Sequence, residues 1–203
     1  MRNYGEIMFS AGAKAWQTRA GSRGAYEKMT ARPAPSGFSE REIAFIAARD
    51  SFYMASVTED GWPYVQHRGG PIGFLKVLDG ETIAFADYGG NKQFVSAANL
   101  QSNSRVSLLL MDYPNRARLK LAGHATVVPA DDAPVLREAV TEPDDPLPER
   151  IFTIRVSAFD WNCPKFITPR YTEAEVSALV RPQIEDLIAE NARLKEAVAA
   201  TLT

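Results

Sequence analysis

Two polar clusters that contain glycines are the parts of this sequence best suited to chemistry. One is the run 66–70 (QHRGG), at the end of a predicted strand, and the other is 87–93 (DYGGNKQ), between a predicted strand and a predicted helix. On the strand, Gln66 and Arg68 share one face and His67 takes the other. The backbone N–H groups of a helix start, with glycine for clearance and lysine for charge, suit a phosphate. The candidate binding residues are Gln66, His67, Arg68, Gly69, Asp87, Tyr88, Asn91, Lys92 and Gln93. The alternative is that both clusters are hairpins with solvated polar groups.

Two further groups carry cations or aromatic rings. Arg116, Arg118 and Lys120 alternate along a predicted strand, so they form either a solvent face or a guanidinium contact to a ligand. An irregular, proline-bounded stretch carries Trp161 and Arg170. Trp161 is interpreted either as part of a binding site or as ordinary packing.

Several common catalytic sets are missing from the sequence. The two histidines, His67 and His124, and the single Cys163 have no spacing that binds zinc, so no metal site is predicted. No nucleophile elbow, phosphate-binding loop of the Walker type or dinucleotide glycine fingerprint occurs. Hydrolysis and nucleoside triphosphate chemistry are therefore disfavoured.

Composition narrows the class of protein. The 203 residues are 45% hydrophobic and 24% charged, which is ordinary for a globular chain. A formal net charge of -2 argues against nucleic acid as a partner, because proteins dedicated to nucleic acids usually carry a basic surplus that neutralises the many backbone phosphates. No segment has the apolar length of a signal peptide or a membrane span, and one cysteine cannot form an internal disulfide. We therefore expect a cytoplasmic protein without a membrane partner.

The elements that must position these residues are mostly short strands. A capping box at Ser39–Glu42 opens one helix, and further helices are predicted near 92–100 and 134–139. Asp60-Gly61 marks a hairpin. Short strands joined mainly by turns predict a mainly β, antiparallel barrel with added helices. The predicted strands are 52–58, 63–68, 74–78, 82–87, 105–112, 119–128 and 152–159.

The two ends of the chain differ from this barrel. Residues 1–37 are predicted to be an N-terminal arm with one short helix. Residues 172–203 begin with the capping box Thr172–Glu175, and Pro182 is placed in a first helical turn. Beyond it, apolar residues and one asparagine occupy alternating a and d heptad positions: Ile184, Leu187, Asn191, Leu194 and Val198. The helix either pairs with a second copy or packs on its own barrel.

In this order, the motifs resemble the FMN-binding split-barrel proteins similar to pyridoxamine 5'-phosphate oxidases. The resemblance covers about residues 38–171. Its motifs are 49–57 (RDSFYMASV), 61–70 (GWPYVQHRGG), 85–93 (FADYGGNKQ), 105–112 (RVSLLLMD) and the stretch 161–170. It implies a six-stranded Greek-key split barrel, a homodimer, and FMN bound at the subunit interface.

The resemblance also implies roles for individual residues. The strand with Gln66, His67 and Arg68 is similar to one that contacts the flavin ring and ribityl chain. Lys92, with Asn91 and Gln93, matches the segment that binds the FMN phosphate. Arg118 matches a side chain that one subunit places near the other subunit's flavin, and Trp161 and Arg170 match residues that close the site.

Departures from the family pattern limit the substrate prediction. True pyridoxamine 5'-phosphate oxidases have Arg and Lys where this chain has Gln66 and Pro71, and they have consecutive basic residues where this chain has Lys92-Gln93. The leading hypothesis is an FMN-dependent oxidoreductase that acts on a small organic substrate other than a form of vitamin B6. His67 is the candidate acid or base, or else a structural residue. The alternatives are a non-catalytic sensor or carrier of flavin or another cofactor, and a structural dimer whose site has decayed.

Overall fold

The computed structural model describes residues 1–161 and 163–201 in two compact units. The first unit contains Met1–Asp112 and Ala117–Pro164. The second contains Tyr113–Arg116 and the chain from Lys165 onward. Asn162, within one of the motifs above, and the last two residues of the predicted C-terminal segment lie outside the described residues.

A seven-stranded antiparallel sheet forms the centre of the first unit. Its order is β2-β1-β5-β6-β7-β4-β3, so the two short hairpins lie at opposite ends and the long β6 and β7 lie between them. This arrangement confirms the predicted mainly β split-barrel architecture, with seven strands in the sheet rather than the six that the resemblance implies. The strands are β1 Ser51–Val57, β2 Pro63–Gly69, β3 Lys76–Val77, β4 Thr82–Asp87, β5 Arg105–Asp112, β6 Ala117–Pro129 and β7 Arg150–Trp161.

Alternation along these strands directs one set of side chains into a common core. In β1, Phe52 and Met54 are buried while their neighbour Tyr53 is exposed. Phe85 of β4 lies parallel to Phe152 of β7, with ring centroids 5.0 Å apart, and meets Phe52 edge-on at 5.3 Å. The polar residues of β2 and β4 lie against these packed rings.

Helices surround this sheet in the first unit. The Ser39–Glu42 capping box is present at the start of α4, as predicted. The arm was expected to hold one short helix, and that prediction is wrong: α1, α2 and α3 follow one another there. Asn3 and Ser10 cap the first two of these, each accepting a hydrogen bond from a backbone N–H. The helices are α1 Tyr4–Met8, α2 Ala11–Arg19, α3 Arg23–Thr30, α4 Glu40–Ala47, α5 Val95–Ser102 and α6 Pro134–Val140.

The starts of two elements near the candidate site, α5 and β6, differ from those that the sequence predicts. Helix α5 begins at Val95 because Lys92 and Phe94 adopt left-handed backbone conformations, with φ of 56° and 53°. Arg116 is also left-handed, with φ of 52°, and lies in the turn that precedes β6. It therefore does not alternate with Arg118 and Lys120 along one strand.

The second unit consists mainly of helix α7, Glu173–Thr201. Thr172 and Glu175 form the predicted capping box, with the Glu175 carboxylate accepting from the Thr172 N–H at 2.7 Å. Pro182 lies inside the helix rather than in its first turn, which corrects the prediction. The earlier start follows from the capping box, which stabilises the first helical turn nine residues upstream of the proline.

Candidate functional site

A cavity of about 230 Å³ opens beside β2 in the first unit, and we call it the cationic pocket. Four elements and one loop line it: β2, the end of β4 with the loop after it, the first turn of α5, and the start of β7. The lining residues that matter below are Tyr64, Gln66, Arg68, Asp87, Tyr88, Asn91, Lys92, Gln93, Phe94, Ser96, Arg150 and Phe152.

Two arginines meet one carboxylate at the centre of the cationic pocket. Arg68 Nη1 donates to Asp87 Oδ1 at 2.6 Å, while Arg150 Nε and Nη2 donate to Asp87 Oδ2 at 3.0 and 2.8 Å. Arg150 also donates to Glu149 at 2.9 Å. Burial alone would lower the pKa of Arg150, but the hydrogen bonds and the charge of Asp87 outweigh it and raise that pKa. Asp87 therefore holds both guanidinium groups in place, and the raised pKa keeps Arg150 charged.

Arg68 retains an unused donor in this arrangement. Its guanidinium lies over the rings of Phe152 and Phe85, at 5.0 and 5.7 Å from their centroids. Its Nε is buried and has no hydrogen-bond partner among the described residues. Leaving such a group unsatisfied costs about 1–3 kcal/mol, so an acceptor supplied by a ligand would stabilise it.

The first turn of α5 supplies further donors. Its N-cap residue, Phe94, has a left-handed backbone and no side chain capping the helix. The first N–H groups of a helix lack intrahelical partners and carry a partial positive charge. Phe94, Val95, Ser96 and Ala97 all line the cationic pocket. Together with Lys92 and the two arginines, this helix start makes the pocket suitable for an anion such as a phosphate.

Gln66 is held by two hydroxyl groups in the same pocket. Ser96 Oγ donates to Gln66 Oε1 at 3.0 Å, and the Tyr64 hydroxyl lies 3.4 Å from the same oxygen. In this orientation the amide oxygen is occupied, which leaves the NH₂ group as the donor available to a ligand. The site thus offers a neutral donor at this position of the strand.

Tyr88 lies at the edge of the cationic pocket. Burial raises the pKa of its hydroxyl, and the negative charge of Asp145 with its hydrogen bond raises it further. Tyr88 is therefore protonated at neutral pH and acts as a hydrogen-bond donor rather than a base.

The structure brings together seven of the residues that the sequence nominated. They are Gln66, Arg68, Asp87, Tyr88, Asn91, Lys92 and Gln93, all of which line the cationic pocket. Asn91 also shapes the loop, since its side-chain oxygen accepts from the Gln93 N–H at 3.2 Å.

The other nominated residues lie elsewhere. His67 is on the opposite face of β2, edge-on to Tyr53 with centroids 5.6 Å apart, and Gly69 lines a separate small cavity with the loop that follows β2. Arg118 is on β6, where its buried Nε has no hydrogen-bond partner among the described residues. Arg170 is in the second unit, with its guanidinium 4.8 Å from the ring centroid of Tyr113.

Trp161 is engaged in a contact of its own within the first unit. Its Nε1–H donates to Glu42 Oε1 at 2.6 Å, its ring meets Phe45 edge-on at 4.7 Å, and the Arg41 guanidinium lies 4.0 Å from its centroid. This contact fastens the end of β7 to the start of α4, away from the lining of the cationic pocket.

Sequence reasoning missed Arg150 and Ser96. The sequence predicts that the last strand begins at residue 152, at the start of an apolar run. Arg150 was therefore assigned to the preceding loop and not to the strand. The available signal was strand periodicity, because Arg150 and Phe152 are two residues apart and share a face. Ser96 was placed inside a predicted helix without a binding role.

Neither a metal-binding cluster nor a membrane-spanning helix occurs among the described residues. In the ranges 1–161 and 163–201, no three His, Cys, Asp or Glu side chains are grouped so that they could hold a metal ion. Within the same ranges, no helix combines the length and apolar character needed to span a membrane.

Comparison with known proteins then identifies the family. The sequence profile described as pyridoxamine 5'-phosphate oxidase matches residues 38–159, well over half of the chain. The chain belongs to the pyridoxamine 5'-phosphate oxidase family. This family generally binds flavin, and haem in some members. The match spans the whole sheet from before β1 almost to the end of β7, and it includes every residue lining the cationic pocket.

Solved structures similar to this member of the pyridoxamine 5'-phosphate oxidase family share little sequence with it. HupZ of Group A Streptococcus is 13% identical, with 66% of this chain and 99% of that chain covered and a TM-score of 0.49. Protein Rv2991 of Mycobacterium tuberculosis is 19% identical, with 70% and 96% covered and a TM-score of 0.46. An F420 reductase is 20% identical, with 63% and 98% covered and a TM-score of 0.42. A search of curated proteins returns no match to this chain.

The residues of the cationic pocket fit the phosphate end of a flavin nucleotide. Three cationic side chains, one uncapped helix start and the unsatisfied Arg68 Nε converge on the cavity. Asp87 is the one carboxylate among its described lining residues, and Glu149 pairs with Arg150 beside it. That donor set matches a phosphate carrying two negative charges.

Proposed function

We propose that this protein binds FMN with the phosphate in the cationic pocket. The observation that carries this proposal is the convergence of Arg68, Arg150 and Lys92 on the start of α5, with Arg68 Nε still lacking an acceptor. Lys92 and the α5 N–H groups would hold the phosphate, and the Arg68–Asp87–Arg150 network would keep the cavity positive. Asn91 and Gln93 shape the loop at the pocket's edge.

Other residues would contact the rest of the flavin in a homodimer. Gln66 offers an amide donor from β2, fixed by Ser96 and Tyr64. We expect Arg118 to lie near the ring of the flavin bound by the second subunit. This expectation is supported by its buried Nε, which lacks a partner among the described residues of a single chain.

The reaction that fits best is an oxidoreduction of a small organic substrate in the cytoplasm. Bound FMN would supply two-electron redox chemistry between a donor, such as a reduced nicotinamide, and an acceptor. The chain's residues would bind and orient the electron donor and the acceptor, and Arg118 would supply positive charge near the flavin ring. Gln66 and Pro71 replace the Arg and Lys of true pyridoxamine 5'-phosphate oxidases. We therefore propose a substrate other than pyridoxamine 5'-phosphate.

A second candidate is a flavin carrier or sensor without turnover. It is favoured by the lining of the cationic pocket, where the described residues include no histidine, cysteine or glutamate. His67, the nominated acid or base, faces away from that pocket. A carrier needs only the binding groups that the pocket supplies.

The first experiment is to purify the protein without added flavin and record its visible spectrum. We expect flavin absorption bands and release of FMN on denaturation. A colourless protein that also fails to take up added FMN would contradict the proposal. Anaerobic mixing of the FMN-bound protein with reduced nicotinamides, followed by an acceptor screen, then separates the enzyme from the carrier. If no donor bleaches the flavin, the carrier is the better description.

A further inference from the structure

Helix α7 carries a continuous apolar stripe that is exposed in the single chain. The side chains of Val180, Ile184, Leu187 and Leu194 are 37%, 49%, 69% and 52% exposed. Contiguous apolar surface of this kind usually marks a site of association. We propose that α7 pairs with α7 of a second copy of this chain as a parallel, in-register, two-stranded coiled coil. This inference goes beyond the proposed flavin chemistry and does not depend on it.

The residue types at the heptad positions favour two parallel strands. With Ile184 at position a, the a positions carry Ile184, Asn191 and Val198, and the d positions carry Val180, Leu187 and Leu194. β-Branched residues at a combined with leucine at d favour two-stranded parallel coiled coils. We call these a and d residues the seam of α7. The seam follows this preference at its two leucine positions, Leu187 and Leu194.

Asn191 adds a reason for the parallel orientation. In a parallel pair, a residues meet a residues, so the two Asn191 amides face and can bond to each other. In an antiparallel pair, a residues meet d residues, which here are leucine or valine, and the amide would be buried without a partner. Leaving a buried polar group unsatisfied costs about 1–3 kcal/mol. Asn191 therefore disfavours the antiparallel arrangement and shifted registers.

Charge complementarity across the seam points the same way. Glu190 is at position g and Lys195 is at the following e position, which is the spacing that forms ion pairs between the two helices of a parallel coiled coil. Within one helix, Glu190 lies 2.8 Å from Arg193 at the outward c position, so it remains at the edge of the seam.

Pro182 and the outer charges are compatible with this pairing. Pro182 falls at position f, on the side away from the seam. Because proline has no N–H, the carbonyl four residues earlier loses its hydrogen-bond partner, and that carbonyl lies on the solvent side. Residues 173–201 contain six acidic and three basic side chains. That negative balance disfavours the alternative in which the stripe lies on an anionic lipid surface.

Three heptads make a coiled coil of modest stability by themselves. In the homodimer proposed above, the two helices would be tethered, which raises their effective concentration and favours pairing. The coiled coil would then strengthen the dimer without contributing to the cationic pocket.

Cysteine cross-linking of the full-length protein tests the orientation directly. In a Cys163→Ser background, which removes the exposed native thiol, we would prepare Ile184→Cys, at an a position, and Leu194→Cys, at a d position, separately and oxidise each at low micromolar concentration. Parallel, in-register helices should give disulfide-linked dimers with each single variant. Ala189→Cys, at the outward f position, is the matched control and should cross-link only at the slow collisional rate.

Each other cross-linking result overturns the proposal. If the single variants remain monomeric on non-reducing gels while a mixture of the two cross-links, the helices are antiparallel. If neither the single variants nor the mixture exceeds the Ala189→Cys rate, α7 is covered by another surface, such as its own barrel or a lipid. Since FMN binding is not measured, failure here leaves the proposed function untouched.

A charge exchange provides a second readout that needs no cysteine at the seam. Glu190→Lys should lower the fraction of associated helices severalfold at low salt, because like charges then face each other across positions g and e. Adding Lys195→Glu to that variant should restore association. Glu185→Lys, at the outward b position, is the control and should have little effect. Equal loss in the single and double variants would overturn the parallel register.

Discussion

Asp87 is the residue on which the geometry of the cationic pocket depends. Each of its carboxylate oxygens accepts from a different arginine, so Arg68 and Arg150 are held at a fixed separation. All three side chains are largely buried. Breaking a buried pair by removing one partner is destabilising because the remaining charges lose their compensation. Asp87 therefore contributes both to stability and to the position of the ligand donors.

The first prediction concerns that carboxylate. Asp87→Asn should lower the free energy of unfolding by about 1–3 kcal/mol, since two guanidinium groups lose their counter-charge in a poorly solvated site. Urea denaturation measures this. Asp131→Asn is the matched control, because Asp131 pairs with Arg137 on the surface and should change stability by less than about 1 kcal/mol. Equal effects of the two substitutions would argue against a structural role for Asp87.

The second prediction concerns Lys92. Lys92→Ala should weaken FMN binding by about 1–3 kcal/mol, or roughly 5- to 150-fold in Kd, through loss of a charge-assisted contact to the phosphate. Titration of the flavin-free protein by fluorescence quenching measures it, and riboflavin, which lacks the phosphate, should bind both proteins equally. The exposed Lys28 of α3 supplies the control, Lys28→Ala. Unchanged FMN affinity would remove Lys92 from the site.

At the residue scale, the sequence predicts the two clusters but not how they are completed. Glycines beside Arg68 and Lys92 mark a binding segment, and the alternation of Gln66, His67 and Arg68 separates the pocket face from the outer face. Arg150 is distant in sequence and reaches Asp87 only because β7 pairs with β4. Long-range strand pairing is not encoded in any local pattern, so a single sequence does not reveal that contact.

At the element scale, one capping box does more than begin a helix. Glu42 of α4 accepts from the Ser39 N–H at 3.0 Å with one oxygen and from the Trp161 indole at 2.6 Å with the other. Burial would raise the pKa of Glu42, but the hydrogen bonds from Ser39 and Trp161 outweigh it and lower that pKa. The same carboxylate thus caps α4 and attaches it to β7.

The third prediction follows from the pKa of Glu42. A carboxyl group whose pKa is lowered on folding stabilises the protein at pH values above its ordinary pKa of 4.5. This contribution is lost as the pH falls through the lower pKa of the folded state. Glu42→Gln should therefore cost about 0.5–2 kcal/mol at pH near 7 and progressively less below 4.5. Urea denaturation across this pH range measures the difference.

The control for this prediction is Glu40→Gln, in the same helical turn. Glu40 is exposed, whereas Glu42 is buried, so its substitution should have a small effect that varies little with pH. A difference between wild type and Glu42→Gln that is independent of pH would show that the charge of Glu42 is not what stabilises this junction.

Local signals explain which elements were predicted well. The capping boxes at Ser39 and Thr172 are contiguous patterns, and both helices begin where those patterns place them. The start of α5 was placed too early because left-handed backbone at Lys92 and Phe94 is unusual for residues with a Cβ. Tertiary packing selects that conformation, and no propensity scale anticipates it.

At the scale of the whole molecule, the proposed homodimer has two independent sources of affinity. One is the barrel, where Arg118 is expected to reach the flavin of the second subunit. The other is the seam on α7, whose leucines are exposed in the single chain. Removing either source should leave a weaker dimer rather than abolish association.

The fourth prediction tests the contribution of the helix. Leu187→Lys should shift the dimer toward monomers on dilution, because a cation at a d position faces its own copy across the seam. Sedimentation velocity over a dilution series measures the shift. Leu179→Lys is the matched control, since Leu179 is also exposed but lies at the outward c position. Identical dissociation of both variants would mean that the seam does not contribute.

The contact between Trp161 and Glu42 also gives the protein an optical reporter. Trp16 and Trp62 are 67% and 73% exposed, so their emission resembles that of indole in water whether the chain is folded or not. Trp161 is partly buried against Phe45 and donates its N–H to a carboxylate. A blue-shifted component of the tryptophan fluorescence should therefore come from this one ring. Its red shift would follow the separation of α4 from β7 during unfolding without any added label.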